Sequence, residues 1–199
     1  MLQKLINEIS LSPKIFIFLR KILENNFKNQ KKVIEKYFSP NSEKIILDLG
    51  CGTGEFSVFF NPATYTGVDI EKNYIDFARK NYQGSFSVED ATNLSFENDY
   101  FDGVAILGVL HHLDDIKCRE IFAQIKRVLK PSGTILIMED VDGPEDSFFT
   151  RLIHSYDKGK HIRTEEGYTK LVSAEFNILE KYKIKSGLCP YQVFTLANE

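Results

Sequence analysis

The sequence predicts an α/β domain built on a seven-stranded, mostly parallel sheet with helices on both faces, and three features carry that reading. Beyond Lys44, short apolar runs alternate with stretches of helical periodicity, the pattern of βαβ units. A glycine-rich turn follows the first run directly. The last two runs are joined by too few residues for a parallel crossover, so they must close the sheet as an antiparallel hairpin. At 199 residues the chain accommodates one domain and therefore one principal site.

Residues 1–40 read as a helical cap. Ile15, Phe18, Leu19, Ile22 and Leu23 recur at helical spacing with Lys14, Lys21, Glu24 and Lys28 between them, and Pro40 closes the stretch. Arg20, Lys21, Lys28, Lys31, Lys32 and Lys36 make it locally basic. Such a face is usually just solvated, and a membrane-surface or partner-binding role is the other reading. The apolar run 15–19 is too short to span a bilayer and no small-residue cleavage site follows it, so a cytoplasmic location is the expectation.

Strands are expected at 45–49, 65–69, 85–89, 101–110 and 134–140, and helices at 55–60, 72–82 and 114–129, the last stopped by Pro131-Ser132-Gly133. The core thus spans 44–142. Residues 143–175 are expected to form a lid and a helix, and 176–199 the closing hairpin, with strands 177–185 and 191–197.

The first strand runs into Leu47-Asp48-Leu49-Gly50-Cys51-Gly52-Thr53-Gly54-Glu55. Glycines at the carboxyl end of a central strand let the backbone approach a ligand where a Cβ would obstruct it. The third glycine comes one residue earlier than in the dinucleotide fingerprint, and Glu55 stands in its place. A carboxylate there repels a pyrophosphate but suits a ligand with a sulfonium cation and no phosphate, which favours S-adenosylmethionine over a nicotinamide dinucleotide. Asp69 closes the second strand, placed to accept from ribose hydroxyls, and Glu89-Asp90-Ala91 closes the third, placed to meet an adenine edge. Each acid alone is as compatible with a helix cap or turn.

With these pieces in view, the chain resembles the class I, Rossmann-like methyltransferases, and within them the small-molecule subgroup that includes the ubiquinone-pathway enzymes. The matching stretches are LDLGCGTGEF at 47–56, VDI at 68–70, EDATNLSFENDYFDGVAILGVLHHL at 89–113 and RVLKPSGTILIMED at 127–140. The resemblance implies that Gly50, Gly52 and Gly54 line the methionine and ribose and that Asp48 helps hold the amino acid end. It implies that Asp69 binds the ribose, Ile70 packs on adenine, Asp90 and Ala91 read its edge, and Leu107 and Gly108 lie near the methionine. It also implies S-adenosylhomocysteine as the product. The segment between Gly54 and Asp69 is short for the family, with Pro62 cutting the first helix early.

Methyl transfer from a sulfonium asks the protein mainly to align the nucleophile and exclude water, and only a hydroxyl acceptor usually needs a base. His111 and His112, after strand four, are the candidates for proton transfer; packing or solvation is their alternative role. His154, Tyr156 and His161 fall in the lid region and are equally compatible with a helix surface. Glu139, Asp140, Asp142, Glu145 and Asp146 form an acidic cluster that suits a polar or cationic acceptor or a solvated helix start, and no metal is expected there because strand four offers no hard oxygen ligands. Cys51, Cys118 and Cys189 match neither a disulfide framework nor a metal site.

The net charge of −3 and the lack of an Asn/Asp-Pro-Pro-aromatic signature argue against nucleic acid and for a small-molecule acceptor. The expected function is S-adenosylmethionine-dependent methyl transfer to O, N or C of such an acceptor. The alternative is a cofactor-binding module without turnover, acting through a protein partner.

Overall fold

The computed structural model describes residues 13–142 and 161–198. Its strands are β1 (Ile46–Leu49), β2 (Tyr65–Asp69), β3 (Ser85–Val88), β4 (Phe101–Leu107), β5 (Leu129–Asp142), β6 (Arg163–Thr164), β7 (Asn177–Ser186) and β8 (Cys189–Ala197). They lie in the order β3-β2-β1-β4-β5-β8-β7, and the two-residue β6 pairs with the end of β5. The pairs β1–β2, β1–β4, β2–β3 and β4–β5 are parallel, while β8 runs antiparallel to both β5 and β7. The expected closing hairpin is therefore present, and β6 adds an eighth strand to the seven expected. Strand order reverses between β1 and β4, so the crevice for a ligand opens at their carboxyl ends.

Both sheet faces are covered, which is why β1 is buried at every position. Leu47, Leu49, Val104, Ile106, Ile135 and Ile137 point to one side, under Ile121, Phe122 and Ile125 of α4 (Asp115–Val128) and Leu171 and Val172 of α5 (Glu165–Ser173). Ile46, Ala105, Leu136 and Met138 point to the other, under Val33 and Ile34 of α2 (Lys28–Tyr37) and Ile75 and Ala78 of α3 (Lys72–Asn81). Asp114 caps α4 by accepting from Lys117 N at 2.9 Å.

The helix expected at 55–60 is reduced to a 3₁₀ turn, Ser57–Phe59. Only seven residues separate Gly54 from Pro62, and the run is rich in aromatics, too short and too poor in helix formers to nucleate a helix. Aromatic packing fills the space. Phe38, Phe60, Tyr65 and Phe86 stack in series at centroid distances of 6.2, 5.2 and 5.6 Å. Strand four ends at Leu107 instead of 110, and Leu110–His112 form a second 3₁₀ turn. Strand five begins at Leu129. Pro131-Ser132-Gly133 lies in an irregular stretch where the partner register passes from Phe101↔Leu129 to Gly103↔Thr134.

The N-terminal helix α1 (Pro13–Leu23) inverts the sequence expectation. Its inner face carries Ile17, Arg20 and, at the position after the helix, Glu24, whereas Phe18 and Ile22, part of the apolar stripe read from helical spacing, are each 62% exposed. Asn25, Asn26 and Phe27 then adopt left-handed φ values of 50°, 53° and 58°. Phe27 tolerates this costly conformation because its ring is buried against Phe56 at 5.1 Å, with the Arg20 guanidinium 5.1 Å from its centre.

Candidate active site

The turn after β1 is strapped to β2, since the N–H groups of Gly50 and Cys51 both donate to the Val68 carbonyl, at 2.8 and 2.9 Å. Gly52 N then donates to Asp69 Oδ2 at 2.9 Å, and Glu71 N donates to Asp69 Oδ1 at 2.8 Å. Burial pushes the Asp69 carboxyl up from its ordinary value, against the pull of these backbone donors.

The three glycines have different tasks. A Cβ on Gly50 would lie 2.5 Å from Val109 Cγ2, and one on Gly54 would lie 2.9 Å from Ala78 Cβ, so both permit close packing of elements. A Cβ on Gly52 would meet nothing within 4 Å. Gly52 is thus the one whose surface opens to a ligand.

Behind the turn, Asp48 is 1% exposed. Its Oδ2 accepts from Tyr65 Oη at 2.7 Å, and its Oδ1 is buried with no hydrogen-bond partner. Burial pushes its carboxyl up to about 7, with Glu55 and Asp69 adding to the rise against the Tyr65 bond. An orphaned carboxylate oxygen beside an open glycine turn fits an ammonium group, so the residues present suit the amino acid end of S-adenosylmethionine. A folded-state pKa raised from 3.8 to about 7 contributes stability below pH ~4 that is lost as pH rises through about 7. The cofactor-free protein is therefore expected to lose stability across that window relative to Asp48→Asn in thermal melts. Cofactor affinity is expected to improve about tenfold from pH 6 to pH 8 in wild type by calorimetry, and to be flat in Asp48→Asn.

At the end of β4, Gly108 N donates to the Met138 carbonyl at 2.8 Å. Glu139, completely buried, organises the loop that follows. Its carboxylate accepts from the N–H groups of Val109 (2.9 Å), Leu110 (2.8 Å) and His111 (3.3 Å) and lies 2.8 Å from His111 Nδ1. Glu139 thus belongs to the loop's framework and not to a solvated acidic cluster. His111 is buried, His112 is exposed, and their rings stand 4.0 Å apart. His161 N donates to the His111 carbonyl at 2.9 Å. His154, Tyr156, Glu145 and Asp146 lie outside the described residues.

At the ends of β2 and β3, Ile70 is 65% exposed, an apolar side chain held in the open directly after Asp69. Asp90 Oδ1 accepts from both Thr92 N and Thr92 Oγ1, at 2.9 and 2.7 Å, and these bonds hold its carboxyl below the usual range. Ala91 packs half-buried against the core, and Leu107 is buried beside the partly exposed Gly108. The fold therefore brings Asp48, Gly52, Asp69, Ile70, Asp90, Leu107 and Gly108 to one edge of the sheet. Gly50 and Gly54 serve that edge from behind.

Glu55 does not face a ligand as an unpaired charge. It is buried, accepts from Thr53 Oγ1 at 2.6 Å and pairs with Arg20 Nη1 at 2.5 Å. Arg20 also meets Glu24 at 2.6 Å, and Glu24 accepts from Gln30 (2.6 Å) and Tyr191 (2.7 Å). Burial works against the Arg20 charge, but Glu24 and Glu55 outweigh it and raise its pKa. The sequence reading missed this network, although Arg20 and Glu24 stand at the i,i+4 spacing of a helical ion pair.

The match to a methyltransferase domain family covers residues 46–133. A demethylmenaquinone methyltransferase of Thermotoga maritima is 31% identical over 132 residues, 64% of this chain and 56% of that protein. A tRNA (carboxymethyluridine(34)-5-O)-methyltransferase of Arabidopsis thaliana is 34% identical over 98 residues, 48% of this chain and 24% of that protein. Among solved structures, an S-adenosylmethionine-dependent methyltransferase from Methanosarcina mazei superposes with a TM-score of 0.66 at 21% identity, over 83% of this chain and 97% of that one. The chain spans 56–59% of the length of the first curated relatives it matches. With the motif stretches, the reversed last strands and the glycine turn at the switch point all in place, the chain has the fold of the class I, S-adenosylmethionine-dependent methyltransferases and matches a methyltransferase domain family over residues 46–133.

Proposed function

We propose that the protein transfers a methyl group from S-adenosylmethionine to O, N or C of a small-molecule acceptor. The carrying observation is the open backbone of Gly52, tied to Asp69 and flanked by the orphaned Asp48 oxygen. When bound, the cofactor supplies a methyl already activated on sulfur, so the chain's own residues bind, orient and exclude water. Asp48 meets the ammonium end, Asp69 the ribose, Ile70 the adenine face and Asp90 with Ala91 its edge. Leu107 and Gly108 stand by the methionine, beside the loop that Glu139 holds in shape.

Where the acceptor is a hydroxyl, proton transfer falls to His111 or His112, of which His111 is the one oriented by a buried carboxylate. Turnover, not cofactor binding alone, is supported by the named enzymes among the relatives. The net charge of −3 supports a small molecule over nucleic acid, and tRNA belongs in the acceptor screen because one relative's name includes it. Calorimetric titration with S-adenosylmethionine and S-adenosylhomocysteine tests the reading. Asp69→Ala is expected to weaken both by roughly 1–3 kcal/mol through lost ribose bonds and a released Gly52 N–H; no binding to folded wild type would refute the assignment.

A further inference from the structure

The buried polar network under α1 and the apolar surface above it belong to one arrangement. A helix that turns Arg20 and Glu24 inward and leaves Phe18 and Ile22 each 62% exposed reverses the ordinary preference, since both apolar side chains lie one turn apart on the outer face. Lys21 stands between them, exposed.

The elements that adjoin α1 are basic. The end of α1 abuts the β7–β8 turn through Leu188 N donating to the Leu23 carbonyl, and α2 abuts β7 through Asn29 Nδ2 donating to the Lys185 carbonyl at 2.6 Å. Between α2 and β7 runs a shallow groove of about 430 Å³ whose lining includes Lys32, Lys36 and Lys185. Lys36 pairs with Glu180, but Lys21, Lys28, Lys32 and Lys185 have no ion-pair partner among the described residues. Four uncompensated cations thus lie along elements joined to the exposed apolar pair, on a chain whose net charge is −3.

We infer that this face rests on an anionic lipid surface, with Phe18 and Ile22 entering the headgroup boundary and the lysines meeting lipid phosphates and carboxylates. Exposed apolar side chains with Lys21 between them and further lysines on the adjoining elements suit an interface that deforms around them, while a protein partner would have to supply a matching cavity. A second copy arranged by two-fold symmetry would bring these like charges against one another. Arg20, on the inner side of the same helix, links the surface to Glu55 of the glycine turn.

Sedimentation of the full chain with phosphatidylcholine vesicles, with and without phosphatidylserine, tests this. Binding is expected only with phosphatidylserine, to weaken as salt screens the lysines, and to fall about tenfold or more in Phe18→Ser/Ile22→Ser and in Lys32→Glu/Lys185→Glu. These exposed positions leave the thermal midpoint and cofactor titration unchanged, which separates failure here from failure of the methyl-transfer reading. No binding to anionic vesicles, or binding indifferent to Phe18 and Ile22, would overturn the inference. So would a dimer in sedimentation equilibrium that the Phe18→Ser/Ile22→Ser pair dissolves, because a second copy would then own the face.

Discussion

Arg20→Met is expected to destabilise the protein by about 3–5 kcal/mol, because it leaves the buried Glu24 and Glu55 without the cation they share. For a chain of this size that is a fall of roughly 10 °C in thermal midpoint. Glu55→Gln added to Arg20→Met removes one stranded charge and is expected to recover part of the loss. The recovery separates an electrostatic deficit from simple loss of packing over the Phe27 and Phe56 rings, which the second change leaves untouched. An Arg20→Met protein as stable as wild type would show that α1 does not depend on this network.

The glycine turn offers the second large effect, and it divides by position. Gly52→Ala is expected to cost the fold about 1–2 kcal/mol, from φ of 56° alone, since its new Cβ meets nothing. Its cofactor affinity is nonetheless expected to fall at least about tenfold, because the methyl occupies the surface offered to the ligand. Gly50→Ala reverses the balance. The same class of backbone strain, at φ of 75°, is joined by overlap with Val109, adding about 1–3 kcal/mol of overpacking and a lower thermal midpoint than Gly52→Ala. Thermal melts and calorimetry on the two variants together check the assignment; equal losses of affinity at matched stability would contradict it.

A parallel α/β sheet with a reversed hairpin was legible because its signals are local. A run such as Ile-Leu-Asp-Leu before a glycine turn, or a link of five residues between two strand-like runs, restricts backbone geometry with little help from the rest of the chain. The acids at the ends of the first three strands were legible for the same reason, since strand ends sit at one edge of a parallel sheet wherever the sheet is placed. The helix expected at 55–60 failed because seven residues and a proline cannot pay for nucleation, a limit that periodicity alone does not reveal.

What the chain by itself determined, then, is which backbone segments form and where their carboxyl ends gather. What only the tertiary structure decided is the direction in which charged side chains face. Glu55 reads as a carboxylate beside a ligand and is the buried partner of Arg20; Glu139 reads as one acid of an acidic cluster and anchors the loop after strand four; Phe18 and Ile22 read as the apolar stripe of a helix and stand in the open. The physical reason is common to all three. A charge can enter the interior only with a partner: those of Glu55 and Glu139 lie 28 to 35 positions away along the chain, where no local pattern records them, and Phe18 and Ile22 stand outward because the paired Arg20 takes the inner face.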